Sequence, residues 1–190
     1  IIDNAALMEI PIRIFDSSIF ETTKIAERNP CYLCARMRRG FLYDRAQEMG
    51  CNKIALGHHF NDVVETTVMG MFYGAQLQTM PPKLRSKNFS GMELIRPMYC
   101  IHEEDICAWR DFNALHFIAC ACRLTEERDK SGDGIGNSKR AEIKQLIASL
   151  AANNPQIEAN IFNAVKNVDT AKLLGWRDAN GKHNFLDQFE

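Results

Sequence analysis

The sequence has no long hydrophobic run and no excess of charge of one sign. No apolar stretch approaches the roughly 18 residues that a membrane-spanning helix needs, and the N-terminus lacks the basic, apolar and small-residue order of a signal peptide. With 23 Lys and Arg against 24 Asp and Glu, the net charge is −1. We therefore expect neither a membrane span nor a globally basic nucleic-acid-binding protein.

What is present fits a compact enzyme or binding domain. The chain has 190 residues, of which 46% are hydrophobic and 25% charged, as in soluble globular domains. Its seven cysteines are an odd number without an export signal, which predicts reduced thiols and a cytoplasmic location. Cys51, Cys100 and Cys107 lie in or beside apolar stretches, so we expect them to be small buried hydrophobes.

The remaining cysteines have the spacing of ligands. Cys31-x-x-Cys34 is followed by three arginines, which favour thiolates and can hold an anion. Zinc sites, iron–sulfur sites and redox pairs share this spacing. With Cys120 and Cys122 the four thiolates would close a tetrahedral zinc site, whereas three would hold a [4Fe–4S] cluster with one open iron.

A second polar segment follows a short apolar run at 53–57 and precedes a predicted helix at 62–73. Strand, glycine, polar loop and helix in that order form half of a βαβ unit. Gly57 lets the backbone approach a ligand, and Asn61 or Asp62 can cap the helix. Asp62 can equally orient Mg²⁺ or a ribose. The adjacent His58 and His59 project differently and seldom share one ion.

Periodicity and turn residues predict the other elements. We expect helices at 3–9, 35–49, 102–113, 138–152 and 155–166, and strands at 10–15 and 92–96. Gly50 should end the second helix, and Ile106, Trp109 and Phe112 should face inward. We divide the chain into an α/β domain at 1–125, a helical region at 126–177 and a polar tail at 178–190. Because the first residues continue an element without a capping signal, we also expect the true N-terminus to be missing.

Five ordered motifs resemble the tRNA 2-thiocytidine synthetase (TtcA) family of the PP-loop ATP pyrophosphatase superfamily. They are Cys31-x-x-Cys34-x-Arg36-x-Arg38-Arg39-Gly40, Ala55-Leu56-Gly57-His58-His59-x-x-Asp62, Met71-Phe72-Tyr73-Gly74, Met80-Pro81-Pro82-Lys83-Leu84 and Ile95-Arg96-Pro97. The resemblance implies an α/β fold with a parallel sheet and helices on both faces, like the adenine-nucleotide α-hydrolases. It also implies an enzyme that adenylates the C2 oxygen of a tRNA cytidine with ATP and Mg²⁺, after which sulfur replaces that oxygen.

The resemblance assigns roles to individual residues. Cys31, Cys34 and Cys120 would hold the [4Fe–4S] cluster, and Gly57, His58 and Asp62 would line the nucleotide side of the pocket. A basic rim would contact tRNA phosphates; it comprises Arg36, Arg38, Arg39, Lys83 and Arg85. The implied partners are tRNA and a sulfur donor of the cysteine desulfurase system, and the family's habit implies a homodimer. No residue is assigned as general acid or base.

Two departures from the family pattern bear on these roles. The phosphate-binding loop Ser-Gly-Gly-Lys-Asp-Ser does not occur in the sequence, and truncation explains this better than loss. The later cysteine motif is Cys120-Ala121-Cys122 rather than Cys-x-x-Cys, so Cys122 is an alternative third ligand. Two other functions stay open: a PP-loop enzyme acting on another RNA base or a small molecule, and a zinc-stabilised RNA-binding module without catalysis.

Overall fold

The structure is a computed structural model that describes residues 1–19, 30–117 and 139–189, the side chains of 30–32 and 188 excepted. Contacts divide the chain into two compact units. The first comprises Ile1–Asp62 and Pro81–Gly134, and the second comprises Val63–Met80 and Ile135–Glu190. The sequence-based division at 125 and 177 stays a prediction.

A small mixed sheet organises the first unit. Its strands are β1 (Lys53–Ala55), β2 (Lys83–Arg85) and β3 (Glu93–Ile95), in the order β1-β3-β2. The central β1–β3 pair is parallel, as the sequence predicts, and β2 adds an antiparallel edge strand. The α/β class is thus confirmed.

One long helix covers this sheet. Helix α2 (Pro30–Glu48) places Tyr43 in a core with Ile54, Met92 and Leu94, against which Phe89 also packs. The Tyr43 and Phe89 rings are stacked with centroids 4.8 Å apart. Leu42 and Met49 of the same helix are exposed, since the helix turns Tyr43 toward the sheet.

Gly50 ends this helix as predicted. Its φ of +73° is in the left-handed region that favours glycine. The Cys51 amide donates to the Ala46 carbonyl at 2.8 Å, and the Gly50 amide donates to the Gln47 carbonyl at 2.9 Å. These are the two hydrogen bonds of a Schellman motif, which returns the chain to the start of β1.

Among the described residues of the first unit, the further helices are α1 (Ile2–Leu7) and α4 (Glu103–Phe112). Two expectations fail here. Residues 10–15 form no strand, because no neighbouring strand among the described residues pairs with them. Helix α4 buries no residue, and Trp109 and Phe112 are 51% and 90% exposed. Periodicity identified this helix but not the face that the fold covers.

Helix α3 (Phe60–Gly74) begins in the first unit and supplies buried side chains to the second. Val63, Val64 and Thr67 of α3 are fully buried, as is Ile143 of α5 (Lys139–Asn153). Two side-chain contacts, each 2.6 Å, join these helices: Arg140 to Glu65, and Tyr73 to Glu142. Helix α6 (Ile157–Ala164) follows and packs on α5.

The end of the chain is more ordered than the predicted polar tail. A 3₁₀ turn at Thr170–Lys172 leads to strands β4 (Gly175–Asp178) and β5 (Gly181–Asn184), which pair antiparallel, and Phe185–Gln188 forms a second 3₁₀ turn. The Asp178 carboxylate accepts hydrogen bonds from the amides of Asn180 and Gly181, at 2.7 and 3.2 Å. Ala179 and Asn180 form the turn between the strands, and Gly181, the first residue of β5, has a φ of +135°, which favours glycine.

Candidate active site

The two cysteines of the Cys-x-x-Cys motif lie on the first turn of α2, not in a turn before it. The helix begins at Pro30 rather than near residue 35, because proline is well tolerated at the first helical position. Residues three apart are neighbours on a helix surface, so the backbone places Cys31 next to Cys34. Cys34 is reduced and half-buried. The Cys31 side chain, Cys120 and Cys122 lie outside what the structure describes, and the ligand set stays a prediction.

The prediction that the other cysteines are buried is wrong. Cys51 and Cys100 are exposed and Cys107 is half-buried, because each lies at an element end or on an uncovered helix face. Within 1–19, 30–117 and 139–189, no three His, Cys, Asp or Glu side chains gather as metal ligands do. None of the described helices is long and apolar enough to cross a membrane.

The arginines of α2 divide between two faces. Arg38 follows Cys34 by four residues and shares its face, whereas Arg36, Arg39 and Tyr43 recur at the spacing of another face. All three arginines are exposed, and no ion pair between described residues includes them. Of the three arginines, Arg38 is therefore the one that lies beside Cys34 on the helix surface.

Helix α2 runs antiparallel to β1 and β3. Its last turn is followed within a few residues by β1, and Gln47 Nε2 donates to the carbonyl of Ser90, which precedes β3, at 3.3 Å. The first turns of α2 therefore extend toward the ends of β1 and β3. We call the segments that leave these two strands, 56–62 and 96–103, the carboxyl edge of the sheet.

Arg96 is the most unusual residue of the carboxyl edge. It directly follows β3 and is only 7% exposed, and one of its Nη1 hydrogens is donated to the Pro81 carbonyl. Its Nε is buried and has no hydrogen-bond partner among the described residues. Burial lowers the pKa of Arg96 from its ordinary value, and the nearby charge of Arg39 lowers it further. A buried cation beside a second cation is electrostatically unfavourable unless an anion compensates it.

The loop after β1 is tied to the loop after β3. The Phe60 amide donates to the Ile101 carbonyl at 2.9 Å, and the Phe60 and His102 rings lie 4.2 Å apart. Asn61 Oδ1 accepts a hydrogen bond from the Glu103 amide at 2.9 Å and so caps α4 from outside that helix. These contacts fix the carboxyl edge as one surface.

Asp62 completes the start of α3. Its Oδ2 accepts a hydrogen bond from the His59 amide at 3.0 Å and lies 3.4 Å from His59 Nε2. This is the reciprocal half of a capping box, in which a residue of the first turn bonds the N-cap amide. The expected capping role is therefore observed, and it holds the carboxylate beside the half-buried His58 and the exposed Gly57. An added Cβ at Gly57 would meet only Met98, at 3.4 Å.

The two basic residues of β2, Lys83 and Arg85, have different surroundings. Lys83 pairs across the sheet with Ile95, near the carboxyl edge, and its Nζ lies 3.0 Å from Glu93. Hydrogen bonding to Lys83 lowers the pKa of Glu93. Arg85 pairs with Glu93 at the opposite end of β3. The Lys83 ammonium thus reaches toward the end of β3 where Arg85 also lies, and of these three residues only Arg39 has its charge near the carboxyl edge.

Comparison with known sequences identifies the family. Residues 8–122, more than half of the chain, match the PP-loop domain family. The chain belongs to the PP-loop family. This confirms the recognition made from the sequence motifs.

Curated relatives carry the name tRNA-cytidine(32) 2-sulfurtransferase. The protein of Anaeromyxobacter dehalogenans strain 2CP-C is 34% identical over 194 residues, which cover 97% of this chain and 63% of the relative. That of Syntrophotalea carbinolica is 39% identical over 144 residues, which cover 76% of this chain and 52% of the relative. The chain thus spans less than two thirds of the length of these relatives.

A solved structure supports the fold. The U34-tRNA thiolase NcsA from Methanococcus maripaludis, determined with its [4Fe-4S] cluster, matches with a TM-score of 0.66 at 20% identity. The match covers 88% of this chain and 55% of that protein. At this identity the likeness concerns the fold.

Sequence reasoning quoted Arg96 as part of a motif but gave it no role. A charged residue between an apolar strand and Pro97 was the available signal, since it lies where parallel strands present ligand sites. The motifs also gave no role to Tyr99, three residues after Arg96. Burial raises the pKa of its phenol.

Proposed function

We propose that this PP-loop chain belongs to a tRNA sulfurtransferase that replaces the C2 oxygen of a cytidine by sulfur. One observation carries the proposal: the carboxyl edge unites the Gly57–Asp62 loop with Arg96, and Arg39 extends toward it from the helix that bears Cys34. The names of the curated relatives supply the substrate class. Open α/β sheets bind ligands at this edge.

The reaction needs two displacements. A base oxygen is a poor leaving group, so the C2 oxygen first attacks the α-phosphorus of ATP, and the bond to pyrophosphate breaks. Sulfur then attacks C2, and the carbon–oxygen bond breaks with release of AMP. Both steps move negative charge between phosphate groups and the base, and a site with fixed cations and little water favours them.

Arg96 and Arg39 are suited to hold a phosphate group during these steps. The Arg96 guanidinium is held by its hydrogen bond to Pro81, so it does not need to reorganise when an anion arrives. Asp62, oriented by the His59 amide, is positioned for Mg²⁺ or ribose, and Gly57 and His58 line the same loop. We propose these three residues as the nucleotide side of the pocket.

The cysteines fit a thiolate-ligated group. Two cysteines three residues apart on one helix are neighbours on its surface and can serve one ion or cluster. A [4Fe–4S] cluster held by Cys31, Cys34 and Cys120 would supply an iron with an open position for sulfur. Cys122 is the alternative third ligand.

The remaining parts of the proposal concern partners. We propose that Arg36, Arg38, Arg39, Lys83 and Arg85 contact tRNA phosphates, that a cysteine desulfurase system donates sulfur, and that the protein is a cytoplasmic homodimer. Because Lys83 is paired with Glu93 and Arg85 lies at the other end of β3, the arginines of α2 should contribute most of the affinity.

Anaerobic purification followed by a nucleoside assay tests this function. A version of the protein that carries a phosphate-binding loop should be brown, contain iron, and form 2-thiocytidine in unmodified tRNA with ATP, Mg²⁺ and a sulfide source. Mass spectrometry of digested tRNA detects the product. A colourless protein with one zinc per chain and no thionucleoside would instead indicate an RNA-binding module.

A further inference from the structure

The second unit contains a cavity that the proposed chemistry does not use. It has a volume of about 710 Å³ and lies between the segment after α3 and the β4–β5 hairpin. Its polar and aromatic lining includes Gln76, Gln78, Trp176, Arg177, Lys182 and His183. A cavity of this size accommodates a nucleotide-sized ligand.

Two cations face each other across the hairpin. Arg177 of β4 is directly opposite Lys182 of β5 in the antiparallel register. Like charges at directly opposed positions destabilise a strand pair. Neither side chain forms an ion pair within the described residues, since the hairpin's Asp178 is paired with His183 at 3.0 Å. The arrangement costs stability in the free protein, and an anion in the cavity would remove that cost.

The neighbouring cross-strand pair is aromatic. Trp176 and His183 are opposite each other, with ring centroids 4.9 Å apart and planes inclined by 13°. The contact between His183 and Asp178 orients the imidazole. A flat ring held in this way is a stacking platform for a nucleobase, whichever base it is.

The facing wall is held in place by its backbone. The Gln76 amide donates to the Gly70 carbonyl at 2.9 Å, and a Cβ added at Gly70 would lie 2.9 Å from the Gln76 carbonyl oxygen. Only glycine at position 70 allows this approach. The segment that carries Gln76 and Gln78 therefore lies tightly against α3, and its side-chain amides can donate to and accept from a base edge.

We infer that this cavity binds one unpaired nucleotide of the tRNA, away from the reacting cytidine. The base stacks on Trp176. Because successive residues of a strand point to opposite faces, Arg177 and Lys182 contact the backbone phosphates of adjoining nucleotides from the other face of the hairpin. This inference rests on the proposed function for the identity of the RNA. Rings, amides and paired cations together match a single-stranded nucleotide, whereas an acidic peptide would use the cations alone.

Tryptophan fluorescence measures this binding directly. The protein has two tryptophans, so Trp109→Phe leaves Trp176 as the reporter. Oligouridylate and unmodified tRNA should quench it saturably, and the affinity should fall as salt is raised. Tripolyphosphate, which has no base, should quench little, and ATP should bind much more weakly than the oligonucleotide.

Charge variants separate a binding role from a structural one. Lys182→Glu creates an attractive pair with Arg177, so it should raise the melting temperature while reducing RNA affinity at least tenfold. Arg177→Ala/Lys182→Ala should likewise raise the melting temperature and reduce RNA affinity. The matched control is Lys166→Ala/Lys172→Ala, which removes the same charge from the same unit outside the cavity lining, and should leave quenching unchanged.

Three results would overturn the inference: no quenching of Trp176, equal loss of affinity in the control, or ATP binding as tight as RNA binding. Failure of the proposed function gives a different pattern, because thionucleoside formation would be absent while Trp176 quenching by RNA persists. Intact quenching without turnover therefore leaves this site supported.

Discussion

The two cationic pairs of this protein differ in what surrounds them. Arg96, next to Arg39, is buried at the end of β3 and hydrogen-bonded to the Pro81 carbonyl, whereas Arg177 and Lys182 are exposed on a hairpin. A buried guanidinium is fixed in position and weakly screened by salt, which suits a group that stabilises charge during a reaction. Exposed cations are mobile and screened, which suits affinity for a polyanion.

The two cationic pairs should therefore affect different measurable steps. Changes at the carboxyl edge should act on chemistry and cofactor content, and changes at the hairpin should act on RNA affinity. An effect of either pair at the other step would contradict this division.

Cys34→Ala should have the largest effect. Loss of a thiolate ligand on the first turn of α2 should remove nearly all iron and abolish 2-thiocytidine formation, without changing the quenching of Trp176 by RNA. Iron per chain and nucleoside mass spectrometry give the result. Cys107→Ala is the matched control, since that cysteine is also half-buried but has no proposed ligand role. Full iron in the Cys34 variant would remove this residue from the cluster site.

Arg96→Met should separate stability from activity. Replacing a buried, uncompensated cation by an apolar chain of similar length should change the free energy of unfolding by no more than about 1 kcal/mol, the scale of the lost hydrogen bond to Pro81. Thiolation should nevertheless fall by a hundredfold or so, about 2.7 kcal/mol in the barrier. Urea unfolding and single-turnover assays measure the two quantities. A large loss of stability with normal turnover would show that Arg96 stabilises the fold and takes no part in the reaction.

Asp62→Ala should reduce ATP-dependent turnover about tenfold, or 1.4 kcal/mol. Asp62→Asn sharpens the test, because its amide oxygen can still accept the His59 hydrogen bond while the charge is lost. If the charge serves the nucleotide, both variants lose turnover; if the cap alone matters, the Asn variant keeps it. Steady-state kinetics in ATP distinguishes these outcomes.

The arginines of α2 should dominate the salt dependence of tRNA binding. Each phosphate contact removed should lower the slope of log affinity against log salt by about 0.7 to 0.9. Arg36→Ala/Arg39→Ala should therefore reduce the slope by up to about two units. Lys83→Ala should change it less, because Glu93 already neutralises that lysine. An unaltered slope in the arginine variant with intact iron would exclude the basic rim.

The smallest effect should be the acid response of the hairpin. Hydrogen bonding from His183 lowers the pKa of Asp178 below its ordinary value near 3.8, and the Asn180 and Gly181 amides lower it further. A depressed carboxyl pKa stabilises the fold above the unfolded value and loses that contribution as pH falls through the folded value. Trp176 fluorescence in the Trp109→Phe background should therefore change as the pH falls below about 4. A transition near neutral pH would point to another group.

Local signals carried much of the architecture. The strand at Lys53–Ala55, the helix after it and the Schellman end at Gly50 follow from residue types and their spacing, because such elements are decided within a few residues. The same signals wrongly predicted a strand at 10–15, because alternating residues form a strand only where another strand pairs with them. They also misjudged α4, because periodicity does not say which helix faces are covered.

Motifs of fixed spacing can be read along the chain, so they were enough to identify the PP-loop family, the α/β class and the Gly57–Asp62 segment. The burial of Arg96 beside Arg39 and the register that sets Arg177 opposite Lys182 became visible only in the folded chain. The reason is physical: burial and cross-strand register depend on residues distant in sequence, and the electrostatic cost of a charge depends on both.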